Sequence, residues 1–132
     1  MVDLDKTQLQ KFEAQLRERQ DFLWNDIAGV LKSEGHDNLV ELSGQVHDSA
    51  EESVADMLAD LDIAVIGNEV AELKDIELAL LRMRSASYGR CIDCGEAIEI
   101  KRLEASPAAG RCIDCQERFE NNQSERDQTP SM

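Results

Sequence analysis

Four cysteines constrain this chain more than any other feature. They fall at Cys91, Cys94, Cys112 and Cys115, as CIDC, seventeen intervening residues, and CIDC again. Each CxxC offers two thiolates from one tight turn, and two such pairs at this distance fit a single tetrahedral zinc ion. Four thiolates leave no open coordination position, so the site is suited to holding a fold together and not to activating water. A catalytic role is therefore not expected. Two other uses of the cysteines compete with this one. An iron–sulfur cluster takes the same ligands. A redox dithiol needs only one CxxC, at a helix N-terminus within a βαβ pattern that this chain lacks.

Upstream of the cysteines the chain reads as helix. Leu9, Phe12, Leu16, Leu23, Ile27 and Val30 recur at steps of three and four, with Arg19 at the skipped turn. This is a coiled-coil-like stripe. Thr7 with Gln10 forms one capping box, and Asp3 or Asp5 is an alternative cap. Gly35 suits the position just beyond the helix end. Trp24, beside the stripe, is read as packing before partner contact. Residues 36–47 read as a connector with a short helical turn, with His36 and His47 exposed in it. A second helix is expected from Asp48 or Ser49 to near Ser85. Its stripe runs through Val54, Leu58, Leu61, Val65, Ile66, Val70, Leu73, Ile76, Leu80 and Met83, with a stutter at Val65/Ile66. Neither stripe is buried by one helix alone, and antiparallel pairing buries both.

The expected fold is mainly α. Residues 1–87 form a long antiparallel helical hairpin, a coiled-coil arm whose tip lies at about 36–53. Residues 88–120 form a small four-cysteine zinc finger, with Gly89 and Gly95 in its turns, Ile98 and Ile100 in a short strand or hairpin, and a short C-terminal helix from Ile113 to about Glu120. Residues 121–132, nearly free of apolar side chains, are expected to be a disordered tail.

Charge narrows the partners. Residues 1–81 carry six Lys/Arg against nineteen Asp/Glu, and no Lys or Arg lies between Lys32 and Lys74. A phosphate backbone repels such a surface, so direct DNA binding is not expected. A basic protein surface or channel attracts it, although the same charge also serves as a solvated face. Residues 1–10, MVDLDKTQLQ, hold no apolar signal region. Four thiols in such a chain fit a reducing, cytoplasmic setting.

The stretch from Tyr88 to Cys115 carries a more specific pattern. It reads YG-x-C-x-x-C-G, then Ile98, Arg102, Leu103, Glu104, Ala105 and Pro107 in I-x-x-x-R-L-E-A-x-P, then C-x-D-C. With a long helical arm before it, this resembles the DksA/TraR family of bacterial RNA polymerase-binding regulators. The resemblance implies a zinc-finger base with an arm that enters the polymerase secondary channel beside the catalytic Mg²⁺, without specific DNA contact; the chain itself is expected to be a monomer. The family tip motif is D-x-x-D-x-A. Here Asp48 matches its first acid, Glu51 replaces the second, and Ser53 replaces the alanine. Arg82, Arg84, Arg90, Lys101, Arg102 and Arg111 are candidate contacts to an acidic polymerase surface at the channel rim, with a solvated face as the alternative for each. Family members that respond to ppGpp carry basic residues where this chain has Asn68, Asp75, Ser106 and Gln116, so a weak or absent response is expected. The competing expectation is a zinc-stabilised coiled-coil interaction module acting on another protein.

Overall fold

The computed structural model describes residues 4–49, 53–60 and 63–128, and among these the chain is almost wholly helical. Helix α1 (Lys6–Ser33) is capped by Asp5, whose carboxylate accepts the Gln8 N–H at 2.7 Å while the Gln8 side chain accepts the Asp5 N–H at 3.0 Å. The box thus begins two residues before Thr7. The helix ends at Gly35, in the left-handed region at φ 83°, where the His36 N–H reaches back to the Leu31 carbonyl.

Phe12, Leu16, Leu23, Ile27 and Leu31 form the buried stripe of α1. Leu31 takes the innermost place expected of Val30, which packs at the edge. The partner is α4 (Gly67–Arg84), which buries Val70, Leu73, Ile76 and Ala79. The two run antiparallel, with the Arg19 guanidinium on the Glu72 carboxylate across the seam and the Phe12 ring 6.1 Å from that of Tyr88 below.

The second helix is shorter than its stripe. Instead of running unbroken from Asp48, the chain forms α2 (Asp37–Ser49), α3 (Val54–Asp60), a 3-10 turn (Ala64–Ile66) and then α4. Residues 36–47, expected as a connector, are mostly α2. Leu39, Val40 and Val46 give them an apolar edge that packs on the core, and a helix this short is held by such packing more than by propensity. The break lies at the stutter. Ile63 is extended (φ −86°, ψ 101°), Ile66 is buried and Val65 points to solvent, since adjacent residues on a helix cannot both face one seam.

Both inserted helices fold back. Helix α2 descends along α1, with the His47 ring stacked 5.6 Å from that of Trp24 and its Nε2 3.4 Å from Asp21. His47 is therefore half-buried against packing, not free in a loop, and Trp24 packs within the fold as expected. Helix α3 runs antiparallel to α4, with Asp56 on Lys74 at 2.7 Å and the Val54 N–H on Glu77 at 3.1 Å.

Beyond α4 the chain turns through Ala86 and Tyr88 into the cysteine module. That module holds one isolated bridge, Arg90 to Ala97, in place of a strand. Ile100 opens a helix, α5 (Ile100–Ala105). Helix α6 starts at Ile113 as expected but continues to Gln128, past the expected end near Glu120. Gln123, Glu125 and Arg126 are good helix formers, and the first breaker is Pro130. Residues 129–132 of the expected tail lie outside the described residues. No helix among the described residues is long and apolar enough to cross a membrane.

Candidate metal centre

The two CIDC turns bring four sulfurs together. The Sγ atoms of Cys91, Cys94, Cys112 and Cys115 all lie within 4.8 Å of one another, and those of Cys94 and Cys112 are 3.8 Å apart. A tetrahedron with zinc–sulfur bonds of about 2.3 Å has sulfur–sulfur edges of about 3.8 Å. The donor set and the spacing fit one zinc ion. Among the described residues no other cluster of His, Cys, Asp or Glu has this arrangement.

Local backbone geometry explains the convergence. The Gly95 N–H returns to the Cys91 carbonyl at 3.0 Å, and Gly95 takes φ 77°, which closes the first turn without Cβ strain. The Cys91 N–H reaches the Glu96 carbonyl at 2.8 Å. The Ile92 N–H reaches the Gly110 carbonyl at 2.8 Å and ties the first turn to the second. Cys112 precedes α6, and Cys115 lies in its first turn.

The electrostatics suit a cation. Burial pushes the Cys91 thiol up, but the N–H groups of Cys112, Cys94 and Asp93 outweigh it and bring the thiol down to about 6. Hydrogen bonding with Cys112, then burial, pushes Cys115 up to about 12. Crowded sulfurs resist sharing several negative charges, and a divalent ion removes that resistance.

A shell of side chains holds the module. The Tyr88 hydroxyl donates to the Pro107 carbonyl at 2.7 Å, and burial pushes its pKa up to about 12, so it stays a donor. Ile98 and Leu103 are buried beneath. The Arg102 Nε donates to the Arg111 carbonyl at 2.9 Å. The Arg111 guanidinium pairs with Asp93 at 2.7 Å and lies 4.0 Å from the Phe119 ring centroid, a cation–π contact.

The six cations expected at a partner-facing rim therefore occupy different environments. Arg84 and Lys101 are exposed, and Arg90 is half-buried at the bridge. Arg102 and Arg111 are held within the module. Arg82 is half-buried at the junction with α4, and a Cβ at Gly110 would lie 3.0 Å from its guanidinium. Of the three expected tip residues, Asp48 lies in the last turn of α2, Glu51 is outside the described residues, and Ser53 caps α3. The Ser53 hydroxyl accepts the Asp56 N–H at 2.9 Å and donates to Glu77 at 2.6 Å. Glu77 carried no signal in the sequence, because one acid on an exposed helix edge looks like any other. Of the four positions matched to basic ppGpp ligands, Asp75 is the informative one. Its carboxyl is raised by burial, opposed by the charges of Arg111 and Arg82 nearby.

Comparison with known proteins agrees with the geometry. Residues 86–121 match the model of the prokaryotic dksA/traR C4-type zinc finger. The fold is similar to the structure of the transcription factor DksA2 from Pseudomonas aeruginosa, with a TM-score of 0.60 and 25% identity over 91% of this chain and 88% of that one. No curated protein sequence matches the chain.

Proposed function

From a chain whose zinc finger is of the DksA/TraR family, we propose a transcription factor that binds RNA polymerase through its secondary channel and modulates initiation. The observation that carries this reading is the combination of the family's zinc finger with a fold similar to DksA2 over most of both chains. The acidic arm supports a protein target in place of DNA, since it holds no Lys or Arg between Lys32 and Lys74.

In this reading zinc fixes the two CIDC turns and so orients the base against the arm. The exposed Arg84 and Lys101 are the cations best placed to meet an acidic polymerase surface. Asp48 and Glu51 act near the polymerase active centre, where carboxylates alter the local field and the binding of divalent cations. The ppGpp response is weak or absent. The cations of the α4–module junction, Arg82 and Arg111, already face the Asp75 carboxyl, which opposes a polyphosphate there.

The test is binding to purified core polymerase in competition with another channel-binding factor. The Asp48→Asn/Glu51→Gln variant is expected to bind but to lose its effect on transcription in vitro. Added ppGpp is expected to change the wild-type effect little. Absence of competition overturns the channel reading, and strong potentiation by ppGpp overturns the nucleotide reading.

A further inference from the structure

Helix α1 carries an aromatic ring that no buried contact of the fold requires. Phe22 and Trp24 are two residues apart, so their side chains leave the helix on opposite sides. Trp24 turns toward α2, its ring stacked on that of His47, and Phe22 remains 58% exposed. We propose that Phe22 anchors a docking surface along the α1–α4 seam, and that its occupant is a basic protein surface with an apolar recess, on the wall of the polymerase channel. The proposal deepens the polymerase reading and rests on it for the partner.

The exposed ring is held in place. The Arg19 guanidinium, one turn back on α1, lies over it at 4.9 Å from the centroid and is itself fixed by two hydrogen bonds to Glu72 of α4. Contacts from α4 thus order a side chain that solvent alone would leave free, and an ordered anchor loses little entropy when it docks. Single exposed apolar residues are common on protein surfaces. One stacked into a fixed position, with more than half of it bare, has the form of a binding anchor.

The surface around the ring continues the pattern. The Arg19–Glu72 pair sets the antiparallel register of the two helices, so Glu69 comes level with Phe22, and Val65 with Asp26. Val65 is 54% exposed and adds a second large apolar side chain at this end of the seam. Gly29 follows Phe22 by seven residues, two turns along the same face of α1. A Cβ there would meet nothing within 4 Å. Glycine inside a helix weakens it, and no neighbour within the fold requires this one, whereas close approach of a partner to the backbone accounts for it.

Charge selects the occupant. Glu18 and Asp26 lie one turn to either side of Phe22 on α1, and Glu69 stands level with it on α4. The hydrogen bond from Glu72 first, and the charge of Asp26 after it, hold the Arg19 guanidinium above its ordinary value, although burial opposes them, which places Asp26 on this side of the arm. Beyond Arg19, α1 has no Lys or Arg before Lys32, and α4 has none before Lys74, which Asp56 holds at 2.7 Å. A second copy of the chain would set these acids against themselves, and a nucleic acid would meet the same repulsion. A basic protein surface is attracted.

The test measures binding of the full zinc-loaded chain to purified core polymerase. Phe22→Ala is expected to weaken binding about 10- to 100-fold, and Phe22→Leu to recover most of it. Leu42→Ala, which removes a similarly exposed side chain from α2, is expected to leave binding unchanged. Asp26→Asn combined with Glu69→Gln is expected to slow association and flatten its dependence on salt. A photoreactive residue in place of the exposed Asn25, one turn from Phe22, is expected to crosslink to a Lys/Arg-rich segment of the polymerase. Equal affinity of Phe22→Ala and wild type, or a crosslink to an acidic segment, overturns the docking surface and leaves the polymerase reading standing. A wild-type chain that forms no complex overturns both. A dimer of the free chain that Phe22→Ala dissolves assigns the face to a second copy and overturns the proposal.

Discussion

Replacing Cys112 by serine should dissolve the zinc module while leaving the arm folded. The magnitude follows from where the apolar core lies. The buried side chains of the module, besides two cysteines, are Tyr88, Ile98 and Leu103. At about 1.5–3 kcal/mol each, their burial cannot offset ordering about forty residues at about 1 kcal/mol or more per residue. Structural zinc contributes about 10–16 kcal/mol to small modules of this kind, which decides whether they fold. The arm needs no such help, because Leu16, Leu23, Ile27, Leu31, Leu58, Ile66, Leu73 and Ile76 are all buried within it. Helices α5 and α6 contain 6 and 16 residues, against 28, 13, 7 and 18 in α1 to α4. Circular dichroism at 222 nm should therefore fall by roughly a quarter in Cys112→Ser, or on chelation of the wild type, as the module alone unfolds. The remaining three quarters should melt in a separate cooperative transition. Loss of the whole helical signal at once would refute the reasoning, because it would mean that the arm has no stability of its own.

Other outcomes follow from the seam. Leu73→Ala removes a fully buried side chain between α1 and α4 and should cost about 2–5 kcal/mol, read as a lower denaturant midpoint with an unchanged slope. The hydrogen bond from Arg19 holds Glu72 below the ordinary carboxylate range, although burial opposes it. The folded value is depressed, so this pair's contribution is present above the ordinary carboxylate range and is lost as pH falls through the folded value. Glu72→Gln should consequently flatten the acid limb of the melting-temperature profile below about pH 5, and an unaltered acid limb would count against the pair.

The cysteine spacing determined the metal site without help from the rest of the chain. Two CxxC turns bring four thiolates within reach of one ion wherever the intervening residues go, because ligand geometry is a local property. The stripe of α1 was legible for the same reason: a 3–4 repeat broken only at Arg19 leaves one way to bury it. The second stripe was not decisive. Val54, Leu58, Val70, Leu73 and Ile76 recur at helical spacing, and that spacing fits one long helix as well as the folded-back pair that buries them. Only the tertiary structure chose between them, through the stutter at Val65/Ile66, the apolar edge of α2 and the bonds from Glu77 to Ser53 and Val54. Those bonds join residues more than twenty positions apart, and nothing in the local pattern encodes them. The sequence by itself therefore determined what holds this protein together, and only the tertiary structure decided where Asp48 and Ser53 lie relative to the base.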